Sequence, residues 1–148
     1  MKENLKLENQ LCFPIYALSR QITALYRPYL DKLGLTYPQY LVLMVLWEQK
    51  SATVKKLGEL LLLDSGTLTP LLKRMEVNKL LKRNRSDEDE RVVEISITEK
   101  GKALEKEAEA IPPLMKQHLK MTDEQLEQMR EQINKILAIT CNNVRPAK

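Results

Sequence analysis

The side chains best suited to chemistry are two cysteines, Cys12 and Cys141, near opposite ends of a 148-residue chain. A cysteine thiolate is a nucleophile that peroxides oxidise, whereas a buried thiol is small, inert packing. Tyr16 follows Cys12 by one helical turn, and four of the five tyrosines fall between Tyr26 and Tyr40. Phenolic O–H groups beside a thiol stabilise its thiolate, but tyrosines also fill helix interfaces. The single histidine, His118, has no CxxC or HxxxH companion, so no metal site is expected. The chain has no GxSxG, no GxxxxGKS/T and no acid–histidine pair at useful spacing, which argues against hydrolase and kinase chemistry. No cofactor is implied, and the reading is of a protein that is not an enzyme.

The charge is more informative than its total of +4. Between Ser65 and Arg85 stand Lys73, Arg74, Lys79, Lys82, Arg83 and Arg85 against Glu76 alone, so this window carries +5 and the rest of the chain −1. Such a local excess suits a surface that faces phosphates, although a wet helix face has the same composition. The acidic run Asp87-Glu88-Asp89-Glu90 follows, then Arg91. At 43% hydrophobic and 30% charged residues, the chain reads as one soluble globular domain rather than a disordered one. Its longest apolar run, Leu41 to Trp47, falls far short of the roughly 20 residues that span a bilayer. The start, MKENLKLENQLCF, lacks the apolar run and cleavage site of a secretion signal, so a cytoplasmic protein is expected.

The elements that must position these residues follow from periodicity. Leu11, Ile15, Leu18, Ile22, Leu25 and Tyr29 form a helical seam that Pro14 either kinks or delays, and Gly34 ends it. Thr36-Tyr37-Pro38-Gln39 is a capping box for a buried helix through Trp47. A short third helix carries Val54, Leu57 and Leu61 inward. A turn at Leu62-Leu63 leads to a fourth with Leu68, Leu71, Leu72 and Met75 as its core stripe. Asp64 or Ser65 can cap this helix, but Pro70 favours Thr67 as the cap, because proline is best tolerated in a first turn. Leu80–Arg85 and Val92–Ile97 read as a two-stranded hairpin. Thr98 caps a helix that runs to Pro112-Pro113 or bends beyond them. Thr122-Asp123-Glu124-Gln125 opens a last helix, with Leu126, Met129, Ile133, Ile136 and Leu137 inward, ending near Thr140.

This order gives a mainly α fold with a small β-hairpin wing, a winged helix-turn-helix. Ser65, Thr67 and Thr69 are short enough to bring hydroxyls to base edges, Lys73 and Arg74 can hold flanking phosphates, and Arg91 at the hairpin tip can enter a minor groove. A helical adaptor without nucleic acid remains open on pattern alone.

The segments LENQLCF, LTYPQYLVLMVLWE, LDSGTLTPLLKRME and SDEDERVVEISITEKG closely resemble the MarR family of bacterial regulators, and within it the organic hydroperoxide sensor (OhrR-like) branch. The resemblance covers nearly the whole chain and is strongest from Leu7 to Gly101. It does not cleanly separate that branch from staphylococcal redox regulators. It implies an intertwined homodimer, built by N- and C-terminal helices over roughly 1–35 and 99–148, with a winged DNA-binding region over roughly 36–98. It also implies a pseudo-palindromic double-stranded operator. Ser65, Gly66, Thr67, Thr69 and Pro70 would lie at base edges, with Arg74 on phosphate and Asp89 and Arg91 at the wing tip. Lys73 and Arg85 complete the expected DNA-binding set.

The same resemblance makes Cys12 the peroxide-sensing residue, approached across the dimer by Tyr26 and Tyr37, with Tyr16 a lesser member. Repression would end when a sulfenic acid, or its mixed disulfide with a low-molecular-weight thiol, breaks that network. Two departures stand out. The two-cysteine branch places its resolving cysteine shortly after a pair resembling Ile111-Pro112, yet Pro112 to Met121 contains none. Cys141 is either the resolving thiol or unrelated to sensing. Pro14 sits close to Cys12, with an effect on thiol reactivity that the sequence does not assign. Regulation by a small phenolic ligand, a general redox or virulence role, and a thiol peroxidase stay open as alternatives.

Overall fold

A computed structural model describes residues 2–86, 89 and 91–144, the last three by backbone alone. Asp87, Glu88 and Glu90 of the acidic run lie outside the described residues. The chain forms two compact units, Met1–Ile111 and Pro112–Lys148.

Two short 3-10 turns, Glu3–Leu5 and Leu7–Asn9, precede α1, Cys12–Leu30. Because α1 begins at Cys12, Pro14 falls in the first turn, where a missing N–H breaks no helical bond, so the late start occurs. Leu11, Ile15 and Leu18 at the front of its seam are exposed in the single chain, whereas Leu30 at its end is buried. A 3-10 turn, Asp31–Leu33, then stops at Gly34, whose φ of 66° is the left-handed region open to glycine. Helix α2, Tyr37–Gln49, starts on the expected capping box, with the Thr36 N–H donating to Gln39 Oε1 at 2.9 Å. It buries Tyr40, Val42, Leu43 and Leu46 but leaves Met44 exposed.

The helix-turn-helix comprises α3, Val54–Leu61, and α4, Ser65–Val77. Leu62 turns the chain at φ 54°, and the Leu63 N–H donates to the Gly58 carbonyl at 3.0 Å. Leu57 of α3 and the stripe Leu68, Leu71, Leu72 and Met75 of α4 are all buried, as their spacing requires. Thr67 is not the cap of α4. Asp64 is, accepting the Thr67 backbone N–H at 2.9 Å, and Pro70 therefore sits inside the helix. The Asp64 carboxylate takes the Thr67 N–H and so starts the helix three residues before a Thr67 cap would, and this outweighs the one bond Pro70 forgoes.

Strands β2, Leu81–Arg85, and β3, Val93–Ile97, pair antiparallel with Arg83 opposite Ile95 and Arg85 opposite Val93. The hairpin is part of a three-stranded sheet of order β1-β3-β2, because β1, Ser51–Thr53, pairs with the other edge of β3. Three residues are too few to show an alternating period, so β1 left no trace in the sequence pattern. Helix α5, Glu99–Ala108, is capped by Thr98 but stops short of the prolines. Pro112 and Pro113 instead fall in the first turn of α6, Ile111–Leu119, where proline is preorganised for helix.

In the second unit, α7, Asp123–Val144, opens on the expected capping box, Thr122 and Gln125 exchanging bonds at 2.9 and 3.2 Å. It runs past the expected end at Thr140, since Cys141, Asn142 and Asn143 contain neither glycine nor proline to stop it. Met129, Ile133, Ile136 and Leu137, expected to face inward, are 41–45% exposed in the single chain. Periodicity identifies an apolar face; it does not say which chain covers it.

Candidate nucleic-acid interface and thiol site

The first turn of α4 carries the shortest polar side chains of the helix-turn-helix into solvent. Ser65, Gly66, Thr67 and Pro70 are exposed and Thr69 is half-buried. Asp64 organises this turn with both carboxylate oxygens. Oδ1 accepts the Thr67 backbone N–H, and Oδ2 accepts the Thr67 hydroxyl at 3.0 Å. Those two bonds hold the Asp64 carboxyl below its usual range. Lys73 and Arg74, further along the helix, are exposed.

Strand β2 adds further cations. Arg85 and Lys82 are exposed, while Arg83 is turned to a structural task. Its backbone N–H donates to Glu76 Oε1 at 3.0 Å, and its guanidinium lies 3.9 Å from the same carboxylate. Removing that pair from the basic window leaves Lys73, Arg74, Lys79, Lys82 and Arg85. At the hairpin tip Asp89 holds Arg91 by two side-chain bonds, at 3.0 and 3.2 Å, and accepts its backbone N–H at 3.0 Å. Those bonds lower the Asp89 carboxyl and aim a guanidinium that is 91% exposed.

Cys12 is exposed in the first turn of α1, and Cys141, near the end of α7, is half-buried. Tyr16 is exposed beside Cys12's turn, with the Arg20 guanidinium carbon 5.3 Å from its ring centre. Tyr26 and Tyr37 come together, ring centres 4.8 Å apart, and Tyr40 joins them at 6.0 and 6.4 Å. Burial, aided by the neighbouring phenols, pushes Tyr26 up to about 12 and raises Tyr40, and burial alone raises Tyr37. All three therefore remain protonated donors at neutral pH. The cluster does not meet the thiol within one chain. Tyr26 lies fourteen positions after Cys12 in α1, ~21 Å along the helix axis.

Two residues absent from the sequence-derived site support it. Asp64 was legible only as a cap. Trp47 sits 6.0 Å from Tyr40 and donates its indole N–H to the Gly101 carbonyl at 3.0 Å. At that same end of α5, the Thr98 hydroxyl donates to the Lys79 carbonyl at 2.7 Å. No periodicity could have linked Trp47 to a backbone carbonyl so far along the chain. Among the described residues, no three His, Cys, Asp or Glu side chains gather as a metal site, and no helix is long and apolar enough to cross a membrane.

A cationic second helix after a tight turn, flanked by a sheet-borne hairpin, defines a winged helix-turn-helix transcriptional regulator. The sequence pattern of the transcriptional regulator SarA/Rot family matches residues 24–108. The chain is 53% identical to the organic hydroperoxide resistance transcriptional regulator of Bacillus subtilis, over 91% of this chain and 92% of that one. Its fold is similar to that of reduced AbfR bound to DNA, with a TM-score of 0.79, 37% identity, and 94% and 98% of the two chains covered. It is also similar to a cysteine-to-serine MarR mutant from E. coli complexed with operator DNA, with a TM-score of 0.78, 25% identity, and 86% and 93% covered. The chain belongs to the MarR and SarA/Rot family of transcriptional regulators, in its organic hydroperoxide branch.

Proposed function

We propose that this chain is a cytoplasmic, non-enzymatic repressor that holds a pseudo-palindromic operator as a homodimer and releases it when an organic hydroperoxide oxidises Cys12. The region of roughly 36–98 reads DNA, and the segments 1–35 and 99–148 join the two copies. Ser65, Gly66, Thr67, Thr69 and Pro70 face base edges, Lys73, Arg74 and Arg85 neutralise phosphates, and Arg91, oriented by Asp89, enters the minor groove.

One observation carries the sensing half of this reading. An exposed thiol opens α1, and Tyr26, half-buried and packed against Tyr37 in a cluster of protonated phenols, lies ~21 Å away toward the other end of the same helix. The two groups meet only if a second copy runs the opposite way alongside, which brings the partner subunit's Tyr26 and Tyr37 to Cys12. In the reaction the Cys12 thiolate attacks the distal peroxide oxygen. An S–O bond forms, the O–O bond breaks, and the alkoxide leaves as an alcohol after taking a proton from solvent. Sulfur is oxidised by two electrons and the peroxide is reduced. A low-molecular-weight thiol then displaces water from the sulfenic acid to give a mixed disulfide. Either product breaks the thiolate–phenol contact and shifts the packed interface that sets the spacing of the two α4 helices.

Mobility shifts on promoter DNA test this. Reduced wild type and Cys12→Ser should both bind. An alkyl hydroperoxide should lower wild-type affinity about 5- to 150-fold, the usual scale of coupling between sites, and leave the variant unchanged. If Cys12→Ser still releases DNA on peroxide treatment, the thiol is not the trigger. Cys141→Ser that still forms a covalent dimer on non-reducing gels removes Cys141 as the resolving thiol.

A further inference from the structure

A threonine hydroxyl has one proton and two lone pairs, so at a base edge it can donate or accept unless something fixes the proton. Here something does. Asp64 Oδ2 lies 3.0 Å from the Thr67 hydroxyl, and a carboxylate can only accept, so the hydroxyl proton is committed to Asp64. The other carboxylate oxygen is held by the Thr67 backbone N–H at 2.9 Å, so the carboxylate cannot turn away without uncapping α4. Thr67 is exposed on the first turn of that helix, and a hydroxyl whose proton is taken keeps lone pairs with which to accept.

We infer that Asp64 is a specificity-determining positioning residue: by taking the Thr67 proton it makes that hydroxyl an obligate acceptor, which selects a base presenting an exocyclic amine in the major groove. Those bases are adenine, through N6, and cytosine, through N4. Guanine and thymine offer acceptors at the corresponding edge and repel the lone pairs. This rests on the reading of α4 as the DNA-recognition helix. Asp64 touches no base and acts through Thr67.

Asp64→Asn separates the two roles. Asparagine caps helices as well as aspartate, so its carbonyl oxygen keeps the Thr67 N–H. Its amide nitrogen takes the place of Oδ2 and donates to the Thr67 hydroxyl, freeing that proton to point at the DNA. The experiment uses full-length protein and a randomised duplex library, followed by titration of the selected duplex and its single base-pair variants. Wild type is expected to prefer adenine or cytosine at one symmetric pair of positions by about tenfold, the scale of one mismatch. Thr67→Val should abolish the preference there and nowhere else. Asp64→Asn should flatten it, admitting guanine or thymine, with circular dichroism unchanged.

Removing a negative charge also strengthens binding to every sequence, so the readout is the ratio between bases rather than affinity. Retention of the full wild-type preference by Asp64→Asn overturns the inference, as does a Thr67→Val protein with an unaltered profile. Wild type that selects no sequence at all overturns instead the DNA-binding reading beneath it.

Discussion

Tyr26 shows how much a single side chain reports. Its phenol is raised to about 12 by burial and by Tyr37 and Tyr40. A raised folded-state value means that the neutral phenol is favoured by the fold. This contribution to stability is complete below the ordinary value of 10.0 and is lost as pH rises from there through about 12. Denaturant titrations from pH 9 to 12 should show wild type losing stability along that window and Tyr26→Phe losing less. Identical slopes would place the tyrosine in solvent. The same protonated phenol is the donor that the proposed thiolate contact requires, so Tyr26→Phe should also slow oxidation of Cys12 by alkyl hydroperoxides in stopped-flow assays.

At the scale of elements, the sheet and the helix-turn-helix are joined where α5 begins. Thr98 accepts the Gly101 N–H at 3.1 Å and donates to the Lys79 carbonyl, while Trp47 reaches the Gly101 carbonyl from α2. Gly101 is buried, and a Cβ there would lie 2.2 Å from the Leu80 carbonyl oxygen, an overlap with backbone that no rotamer relieves. Gly101→Ala should cost ~1–3 kcal/mol and lower the melting temperature by roughly 2–12 °C in calorimetry. Leu72→Ala, which empties space on the buried stripe of α4, should cost ~2–5 kcal/mol. An unchanged melting temperature for Gly101→Ala would mean that α5 is not packed against the start of β2.

At the scale of the whole molecule, apolar surface remains uncovered. Leu11, Phe13 and Ile15 are 45–68% exposed in the first unit, and Ile133, Ile136 and Leu137 are exposed at helical spacing in the second. Seams of that kind are covered by a partner in a stable assembly. Sedimentation equilibrium should give a dimer for wild type, with a melting temperature that rises with protein concentration. Ile133→Glu buries a charge in the proposed interface and should shift the protein to monomer and weaken operator binding with it. A monomeric wild type would contradict the proposed route from Cys12 to the partner's phenols.

Much of this protein is determined by local chemistry that the sequence displays. Helix periods placed Leu68, Leu71, Leu72 and Met75 inward, capping boxes fixed the starts of α2 and α7, and the clustered cations marked the region of α4 and the hairpin. Each depends on residues within a turn or two of one another, which is why spacing alone suffices. Contacts between distant segments were decided only by tertiary structure. These include the pairing of the three-residue β1 with β3, the bond from Trp47 to Gly101, the meeting of Tyr26 with Tyr37, and the neutralisation of Arg83 by Glu76. The cap of α4 is local by contrast: Asp64, three residues before Thr67, accepts the Thr67 N–H, whereas a Thr67 cap would have Pro70, which has no N–H, at its third helical position.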